Sequence, residues 1–193
     1  MTLDPSVVEA LTARVWPDDF LRVTPMAHQG TPLGMGFGAT RFASPTDAFK
    51  VLYIAEDLAT AVAETLIRDR FVGRRRRVIS RAEAELWGVT AVSSRGPVRL
   101  LDIRTDGLLR LGVATDTGRG KAQHRGRRFS QEVHDQTSVD GIMYWSRLTG
   151  GTCCAIYDRA VRERKLSARA VVEVLRLPDF EPALRSLEVV LAE

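Results

Sequence analysis

Apolar and polar positions along the chain change repeatedly between the spacing of a strand and the spacing of a helix. The clearest case is Val51–Phe71, which begins with an apolar run suited to a strand and then turns through Glu56 and Asp57. Helical spacing continues at Leu58, Ala61, Val62, Thr65 and Leu66. This segment is predicted to be a strand that ends near Tyr53 and leads into a helix carrying Glu64.

The remaining pattern predicts short helices and strands without regular strand–helix–strand alternation. Helices are predicted at Asp4–Arg14, at a capping-box sequence from Ser80 to Trp87, and over 106–113, 127–138 and 178–193. Strands are predicted at Phe20–Pro25, 89–92, Val98–Ile103, Asp140–Ser146, 151–158 and 168–177. Several strands follow one another near the C-terminus, which favours an α+β class with mixed or antiparallel central sheets flanked by short helices.

Length and composition are typical of one globular domain. The chain has 193 residues, of which 45% are apolar and 27% charged. We therefore expect a single domain over 1–193, with an N-terminal helical arm over 1–20 and a C-terminal helix over 178–193. No apolar run reaches the roughly 18 residues of a membrane span, and the first residues do not resemble a signal peptide, so a cytoplasmic location without membrane contact is expected.

The formal net charge of +4 is concentrated in two basic runs, Gly73–Arg81 and Gly118–Arg128. Such runs can bind a phosphate backbone, face solvent, or attract an acidic partner. Neither run contains the interleaved aromatic residues that stack on single-stranded bases. Direct nucleic-acid binding is therefore the less favoured alternative.

The cysteines and histidines do not suggest a metal or redox site. Cys153 and Cys154 are adjacent in a predicted strand, where neighbouring side chains point to opposite faces, so a disulfide between them is disfavoured. The three histidines, His28, His124 and His134, are scattered and lack the spacing of a zinc site. No metal is expected.

Polar residues that flank the predicted strands carry a specific resemblance. These residues are Arg22, Arg41, Tyr53, Glu64 and Ser146. Arg41 and Phe42 precede a proline, Glu64 follows Tyr53 by 11 residues, and DGIMYWSR is followed by two glycines and a final apolar strand. Over about 21–158 the chain resembles the RES-domain family, which is named for an arginine, a glutamate and a serine.

The resemblance implies a fold similar to ADP-ribosyltransferases and an enzyme that consumes NAD. It also implies a toxin restrained by an antitoxin with an Xre-like helix-turn-helix. NAD would be the substrate, with no permanently bound cofactor, and the ADP-ribose could pass to water, phosphate or an acceptor protein.

By the same resemblance, the five residues would line an NAD pocket. Glu64, Arg41, Tyr53 and Ser146 would be catalytic, and Arg22, Arg41, Tyr53 and Ser146 would bind NAD. A carboxylate suits this chemistry because cleavage of the nicotinamide–ribose bond develops positive charge on the ribose. Tyrosine could stack on a ring, guanidinium groups could hold the diphosphate, and the serine could position the substrate.

Each residue also has an ordinary structural alternative. Glu64 could be an exposed helical residue paired with Arg68, and Tyr53 could be a core aromatic residue. Arg22 and Arg41 could form surface ion pairs, and Ser146 could simply begin a turn. Ser130 and Gln131 are weaker candidates for supporting contacts.

Three classes of function therefore stay open. The favoured one is an NAD-consuming enzyme. The others are a basic nucleic-acid-binding module and an interaction protein whose pocket no longer catalyses.

Overall fold

The structure is a computed structural model that describes residues 2–120 and 122–193. Lys121, in the second basic run, lies outside the described residues. The helices are α1 Pro5–Leu11, α2 Leu58–Val62, α3 Arg81–Ala84, α4 Gly107–Arg110, α5 Asp116–Arg119, α6 His124–Gln136, α7 Asp158–Arg162 and α8 Phe180–Ser186. A π-helical turn, Ala63–Ile67, continues α2, and 3-10 turns occupy Met26–His28 and Val174–Arg176.

The strands form one large sheet and one small sheet. They are β1 Thr12–Val15, β2 Phe20–Pro25, β3 Val51–Ala55, β4 Val78–Ser80, β5 Trp87–Ser94, β6 Val98–Asp102, β7 Gly141–Trp145, β8 Thr152–Tyr157, β9 Leu166–Ala168, β10 Val172–Glu173 and β11 Val190–Ala192. Within the described residues, nine strands make the large sheet in the order β1-β6-β7-β8-β3-β2-β5-β10, with β9 also paired to β5. Strands β4 and β11 pair in parallel as a separate ribbon.

Pairing in the large sheet is antiparallel except between β6 and β7. Strand β3 lies in the middle of the sheet, between β8 and β2. In the register of β3 and β8, Tyr53 lies opposite Ala155 and Ala55 lies opposite Cys153. This arrangement of strands and short helices confirms the predicted α+β class.

Both faces of the large sheet are covered by apolar side chains, as alternation along β3 illustrates. Leu52 and Ile54 belong to one buried cluster, whereas Ala55 and the partly buried Tyr53 belong to the other. Cys153 and Cys154 likewise enter different clusters, and both thiols are free and buried. The prediction that the two cysteines face opposite sides of the sheet is confirmed.

Local side-chain caps explain where two of the short helices begin. The Asp57 carboxylate accepts a hydrogen bond from the Thr60 backbone N–H at 2.8 Å, which fixes the start of α2. The Ser80 hydroxyl accepts from the Glu83 N–H at 3.3 Å, as the capping-box spacing predicted. Helix α3 ends at Ala84, so the prediction that it reaches Trp87 is wrong, because Trp87 begins β5.

The predicted N-terminal helix is too long. Helix α1 ends at Leu11, and the following residues pair with β6, with Thr12 opposite Leu101. Backbone pairing at the edge of the large sheet replaces the last helical turn that the sequence pattern suggested.

Two predictions near the C-terminus are also wrong. The predicted strand over 168–177 is divided into β9, β10 and a 3-10 turn, with Arg169 donating its N–H to the Ala91 carbonyl between the two strands. The predicted helix over 178–193 ends at Ser186, because Glu188 adopts a φ of 55° and the chain then forms β11. In the part of the chain that the structure describes, no helix combines the length and apolar character needed to cross a membrane.

Candidate active site

An open cavity of about 400 Å³ lies over the junction of β2, β3 and the helix that follows β3. Its polar lining residues are Arg22, Thr40, Tyr53, Glu64, Thr65, Arg68 and Tyr144. We call it the main cavity. Three of the five residues singled out in the sequence, Arg22, Tyr53 and Glu64, therefore line one space.

A second, smaller space lies on the far side of Glu64. This inner cavity has a volume of about 10 Å³, and its charged lining residues are Arg41, Glu64, Arg68 and Arg147. Glu64, Arg68 and Tyr144 line both cavities and so form the wall between them. Arg41 is separated from the main cavity by this wall.

A local widening of the helix sets the position of Glu64. Helix α2 changes to π-helical geometry at Ala63, and the Arg68 N–H donates to the Ala63 carbonyl, five residues earlier, at 2.8 Å. Single π-helical turns occur frequently at functional sites because they redirect side chains. Here the turn holds Glu64 half-buried between the two cavities, and the alternative of an exposed pair with Arg68 is not what the structure shows.

The Glu64 carboxylate is held by Ser146. The Ser146 hydroxyl donates a hydrogen bond to Glu64 Oε1 at 2.8 Å. It also accepts from the N–H groups of Leu148 and Thr149, at 3.1 and 3.3 Å. Ser146 is only 3% exposed and lines neither cavity, so its hydroxyl acts on the site through Glu64.

The turn after β7 is tied to the start of α2, which brings Ser146 and Glu64 together. The Thr60 hydroxyl donates to Asp57 Oδ2 at 2.7 Å and lies 2.8 Å from the Thr149 hydroxyl. A side chain at Gly151 would approach Thr60 Oγ1 within 2.3 Å, so a larger residue there would displace the Thr60 side chain. The Ser146–Glu64 contact therefore rests on a backbone turn fitted closely against the helix start.

Tyr53 organises the loop beside the main cavity. Its hydroxyl lies 2.8 Å from the Thr40 hydroxyl and accepts from the Phe42 N–H at 3.1 Å. Burial raises the pKa of Tyr53, so the hydroxyl stays protonated. Its position within β3, and not at the strand end as predicted, places the ring against the cavity.

Arg22 also contacts a loop. Its guanidinium donates to the carbonyl oxygens of Pro32 and Gly34, at 2.9 and 2.6 Å. Burial lowers the pKa of Arg22. The residue lines the main cavity while fixing the glycine-rich segment that follows β2.

Arg41 is buried, with 6% exposure, and donates to the Gly120 carbonyl at 2.6 Å. Burial and the neighbouring guanidinium groups of Arg68 and Arg147 lower its pKa. Arg41 therefore faces the inner cavity and the segment before α6, in contrast to the surface ion pair that was the alternative.

Three further residues of the cavity wall were not singled out from the sequence. Arg68 was considered only as a helical partner of Glu64, and Tyr144 and Cys153 were assigned to strands alone. Burial raises the pKa of Tyr144 well above its usual range and that of Cys153 to about 12, so both groups stay protonated. The position of Tyr144 two residues before Ser146 in β7 was the one sequence signal for it.

The weaker candidates lie on α6, away from the main cavity. The Ser130 hydroxyl donates to the Phe42 carbonyl at 2.7 Å, and Gln131 accepts from the Ser44 hydroxyl at 2.7 Å. Both contacts hold the segment that contains Arg41. Within residues 2–120 and 122–193, no group of three or more histidine, cysteine or acidic side chains is arranged to hold a metal ion.

The arrangement offers a fixed carboxylate, protonated tyrosines and several guanidinium groups beside a space large enough for a small ligand. The carboxylate can stabilise developing positive charge, and guanidinium groups can bind phosphate oxygens. The basic run Arg74–Arg77 is exposed and lines neither cavity.

The chain is similar to known proteins in sequence and in fold. The chain is 36% identical over 98 residues to the "Probable toxin y4kH" of Sinorhizobium fredii (strain NBRC 101917 / NGR234), a match that covers 49% of this chain and 76% of that protein. The fold is similar to a chain in the crystal structure of the M. tuberculosis MbcT–MbcA toxin–antitoxin complex. That likeness has a TM-score of 0.68 at 16% identity and covers 97% of this chain and 99% of that chain. The RES domain family model matches residues 13–178. The chain belongs to the RES-domain family.

Proposed function

We propose that this protein is a toxin-like enzyme that consumes NAD by cleaving the bond between nicotinamide and ribose. The observation that carries the proposal is the Glu64 carboxylate, held by the Ser146 hydroxyl at 2.8 Å on the wall of the main cavity. The relative named a probable toxin supports the toxin part of the proposal, and the family membership agrees with the resemblance from which the reaction is inferred.

In the proposed reaction the glycosidic C–N bond breaks and its electron pair leaves with nicotinamide. The ribose gains oxocarbenium character, and the Glu64 carboxylate stabilises that charge or holds the ribose hydroxyls. Water, phosphate or an acceptor protein side chain then forms the new bond at the same carbon. Ser146 acts as a positioning residue, because its hydroxyl points at Glu64 and not into the main cavity.

Tyr53 would contact the nicotinamide or ribose with its ring. Its hydroxyl is already engaged by Thr40 and Phe42, so the ring and not the hydroxyl is available to a substrate in the main cavity. The hydrogen bonds of the hydroxyl fix the orientation of the ring before the substrate binds.

An enzyme that depletes NAD would harm its own cell, so we also propose a cognate antitoxin, of the Xre-like helix-turn-helix type that the family resemblance implies. The structural neighbour was solved as a toxin–antitoxin complex, which supports the existence of such a partner. Co-purification of this chain with the product of an adjacent gene would identify it.

The test of the reaction is nicotinamide release from NAD by the wild-type protein and by Glu64→Gln. Glutamine can still accept the Ser146 hydrogen bond but cannot carry the negative charge. We expect at least about a 100-fold loss of the release rate, with an unchanged circular dichroism spectrum and melting temperature.

The matched control is Glu56→Gln, which removes a carboxylate that is exposed and lines neither cavity. This variant should retain the wild-type rate. Release by Glu64→Gln at the wild-type rate would contradict the proposed role of Glu64. Running the assay with and without inorganic phosphate separates phosphorolysis from hydrolysis.

A further inference from the structure

The two cavities hold an excess of positive charge. Four guanidinium groups line them, from Arg22, Arg41, Arg68 and Arg147, whereas Glu64 is the one carboxylate among the lining residues within the described part of the chain. Burial lowers the pKa of Arg41, and the two neighbouring guanidinium groups of the inner cavity lower it further. An anion that binds between clustered guanidinium groups reduces the repulsion among them.

Two of these arginines already donate hydrogen bonds to backbone carbonyl groups of the protein. Arg22 donates to two loop carbonyls, and Arg41 donates to the Gly120 carbonyl while facing an inner cavity of about 10 Å³. A space of that size holds about one water molecule and cannot hold a phosphate group. Neither residue is therefore the best placed to bind an anion in the main cavity.

Arg68 is placed differently. It lines the main cavity on the same wall as Glu64, and its side chain is 21% exposed. Its nearest carboxylate, that of Asp69, is 3.9 Å away, and Gln123 in its favoured amide orientation accepts one hydrogen bond from Arg68 at 3.1 Å. A guanidinium group has five N–H donors, so these contacts with described residues leave donors for a ligand.

The end of the π-helical turn gives Arg68 this placement. Its backbone has φ of −13° and ψ of −85°, outside helical geometry, where the chain leaves the turn. In a regular α-helix, residues four apart share one face, and Arg68 would then lie directly beside Glu64 as an ion-pair partner. In the structure both side chains line the main cavity, and the printed carboxylate contact of Arg68 is with Asp69.

We propose that Arg68 binds a phosphate-type oxyanion in the main cavity. This inference rests on the proposed function and deepens it. The anion is either the diphosphate of the dinucleotide or free inorganic phosphate that accepts the ADP-ribose. In both cases Arg68 holds the anion near the wall that carries Glu64, on the cavity side where a ribose would be cleaved.

The experiment measures binding of inorganic pyrophosphate, inorganic phosphate and ADP-ribose by isothermal titration calorimetry. The proteins are the wild type, Arg68→Gln, Arg68→Lys and the control Arg74→Gln, which neutralises an exposed arginine outside both cavities. Nicotinamide release from NAD is measured on the same samples, and circular dichroism checks that each variant is folded.

We expect Arg68→Gln to weaken binding of at least one of these ligands by about tenfold or more, since a charge-assisted hydrogen bond is lost. Arg68→Lys, which keeps the charge but not the two-pronged geometry, should weaken it less, and Arg74→Gln should not weaken it. Loss confined to pyrophosphate and ADP-ribose assigns the site to the dinucleotide, and loss confined to phosphate assigns it to the acceptor.

The inference is overturned if the wild type binds none of the three ligands at millimolar concentration, or if Arg74→Gln weakens binding as much as Arg68→Gln. Should Arg68→Gln not fold, an unchanged affinity for every ligand in Arg68→Lys overturns it equally. Anion binding that depends on Arg68, without nicotinamide release, would support this inference and contradict the proposed reaction. Nicotinamide release that needs Glu64, together with an unchanged affinity of Arg68→Gln for all three ligands, would retain the proposed reaction and overturn this inference.

Discussion

Ser146 shows how one side chain can control a site without facing it. Its hydroxyl donates a hydrogen bond to Glu64 and accepts hydrogen bonds from two backbone N–H groups of the turn that follows. This pattern leaves the carboxylate with a fixed orientation and the turn with its backbone donors satisfied. The hydroxyl therefore links the geometry of the turn directly to the geometry of the carboxylate.

Replacing Ser146 by alanine should affect both activity and stability. The carboxylate would lose the donor that orients it, and we expect nicotinamide release to fall by about 10- to 100-fold through the rate constant more than through KM. The two turn N–H groups would lose their acceptor, so the free energy of unfolding should drop by about 1–3 kcal/mol in urea titrations.

Ser80→Ala is the matched control, because the Ser80 hydroxyl accepts one backbone N–H at the start of α3 and lines neither cavity. It should lower the free energy of unfolding by about 1 kcal/mol and leave the release rate unchanged. Equal activity of Ser146→Ala and Ser80→Ala would show that Ser146 has no role beyond stability.

Arg68 marks the limit of what the sequence indicated about single residues. Helical spacing places it four residues after Glu64, so an ion pair was the natural interpretation. The structure has a π-helical turn here instead, and no residue type in Ala63–Ile67 signals it. Arg22, Tyr53 and Glu64 could be selected because a family pattern fixes their positions, whereas Arg68 and Tyr144 became visible only through the shared cavity wall.

At the scale of elements, helix α6 is fitted closely against the segment that carries Arg41. A side chain at Gly126 would come within 2.7 Å of both the Cγ atom and the carbonyl oxygen of Arg41, and within 3.0 Å of the Thr117 carbonyl. Two of these three neighbours are backbone atoms, which cannot move aside without shifting their segments.

Gly126→Ala should therefore destabilise the protein, although alanine normally favours a helix over glycine by about 1 kcal/mol. We expect a loss of about 1–3 kcal/mol in the free energy of unfolding, together with reduced nicotinamide release because Arg41 is displaced. Gly96→Ala, at a position with open space around the added methyl group, should change the free energy of unfolding by less than about 0.5 kcal/mol. Stabilisation by Gly126→Ala would contradict the packing described.

The sequence predicted elements well where apolar runs were bounded by clear signals, and poorly where non-glycine residues made the turns. Strand β2 was predicted with its observed bounds, Phe20–Pro25. The C-terminal helix was predicted too long because Glu188, with a positive φ, ends it without a glycine. The predicted strand at 168–177 is divided because β9 and β10 pair separately with β5. The alternation of apolar and polar residues within the segment does not indicate this pairing.

At the scale of the whole molecule, stability should depend on pH through His134. Its ring stacks on Phe49 with centroids 4.2 Å apart. Burial lowers the pKa of His134 below its usual 6.5, against the opposing effect of the hydrogen bond between its ring and the Asp135 carboxylate. The unfolded chain then binds the proton more readily than the folded protein. The contribution of His134 to the free energy of unfolding should be complete above pH 6.5 and should fall as the pH drops below that value.

Urea titrations at pH 7.5, 6.5 and 5.5 would measure this dependence, with His134→Gln as the comparison. The difference in stability between the wild type and His134→Gln should shrink or reverse as the pH falls, because glutamine does not titrate. A difference that stays constant over this range would rule out a contribution from His134.

The hydrogen bond between Ser146 and Glu64 joins residues that are 82 positions apart in the chain. Ribosomes add about 5 to 20 residues per second, so Glu64 is made roughly 4 to 16 s before the residue that orients it. A similar delay separates the synthesis of strand β3, which carries Tyr53, from that of its neighbour β8. A growing chain therefore has no assembled site until Ser146 has been synthesised. Under the proposed function, the nascent chain could not cleave NAD before that point.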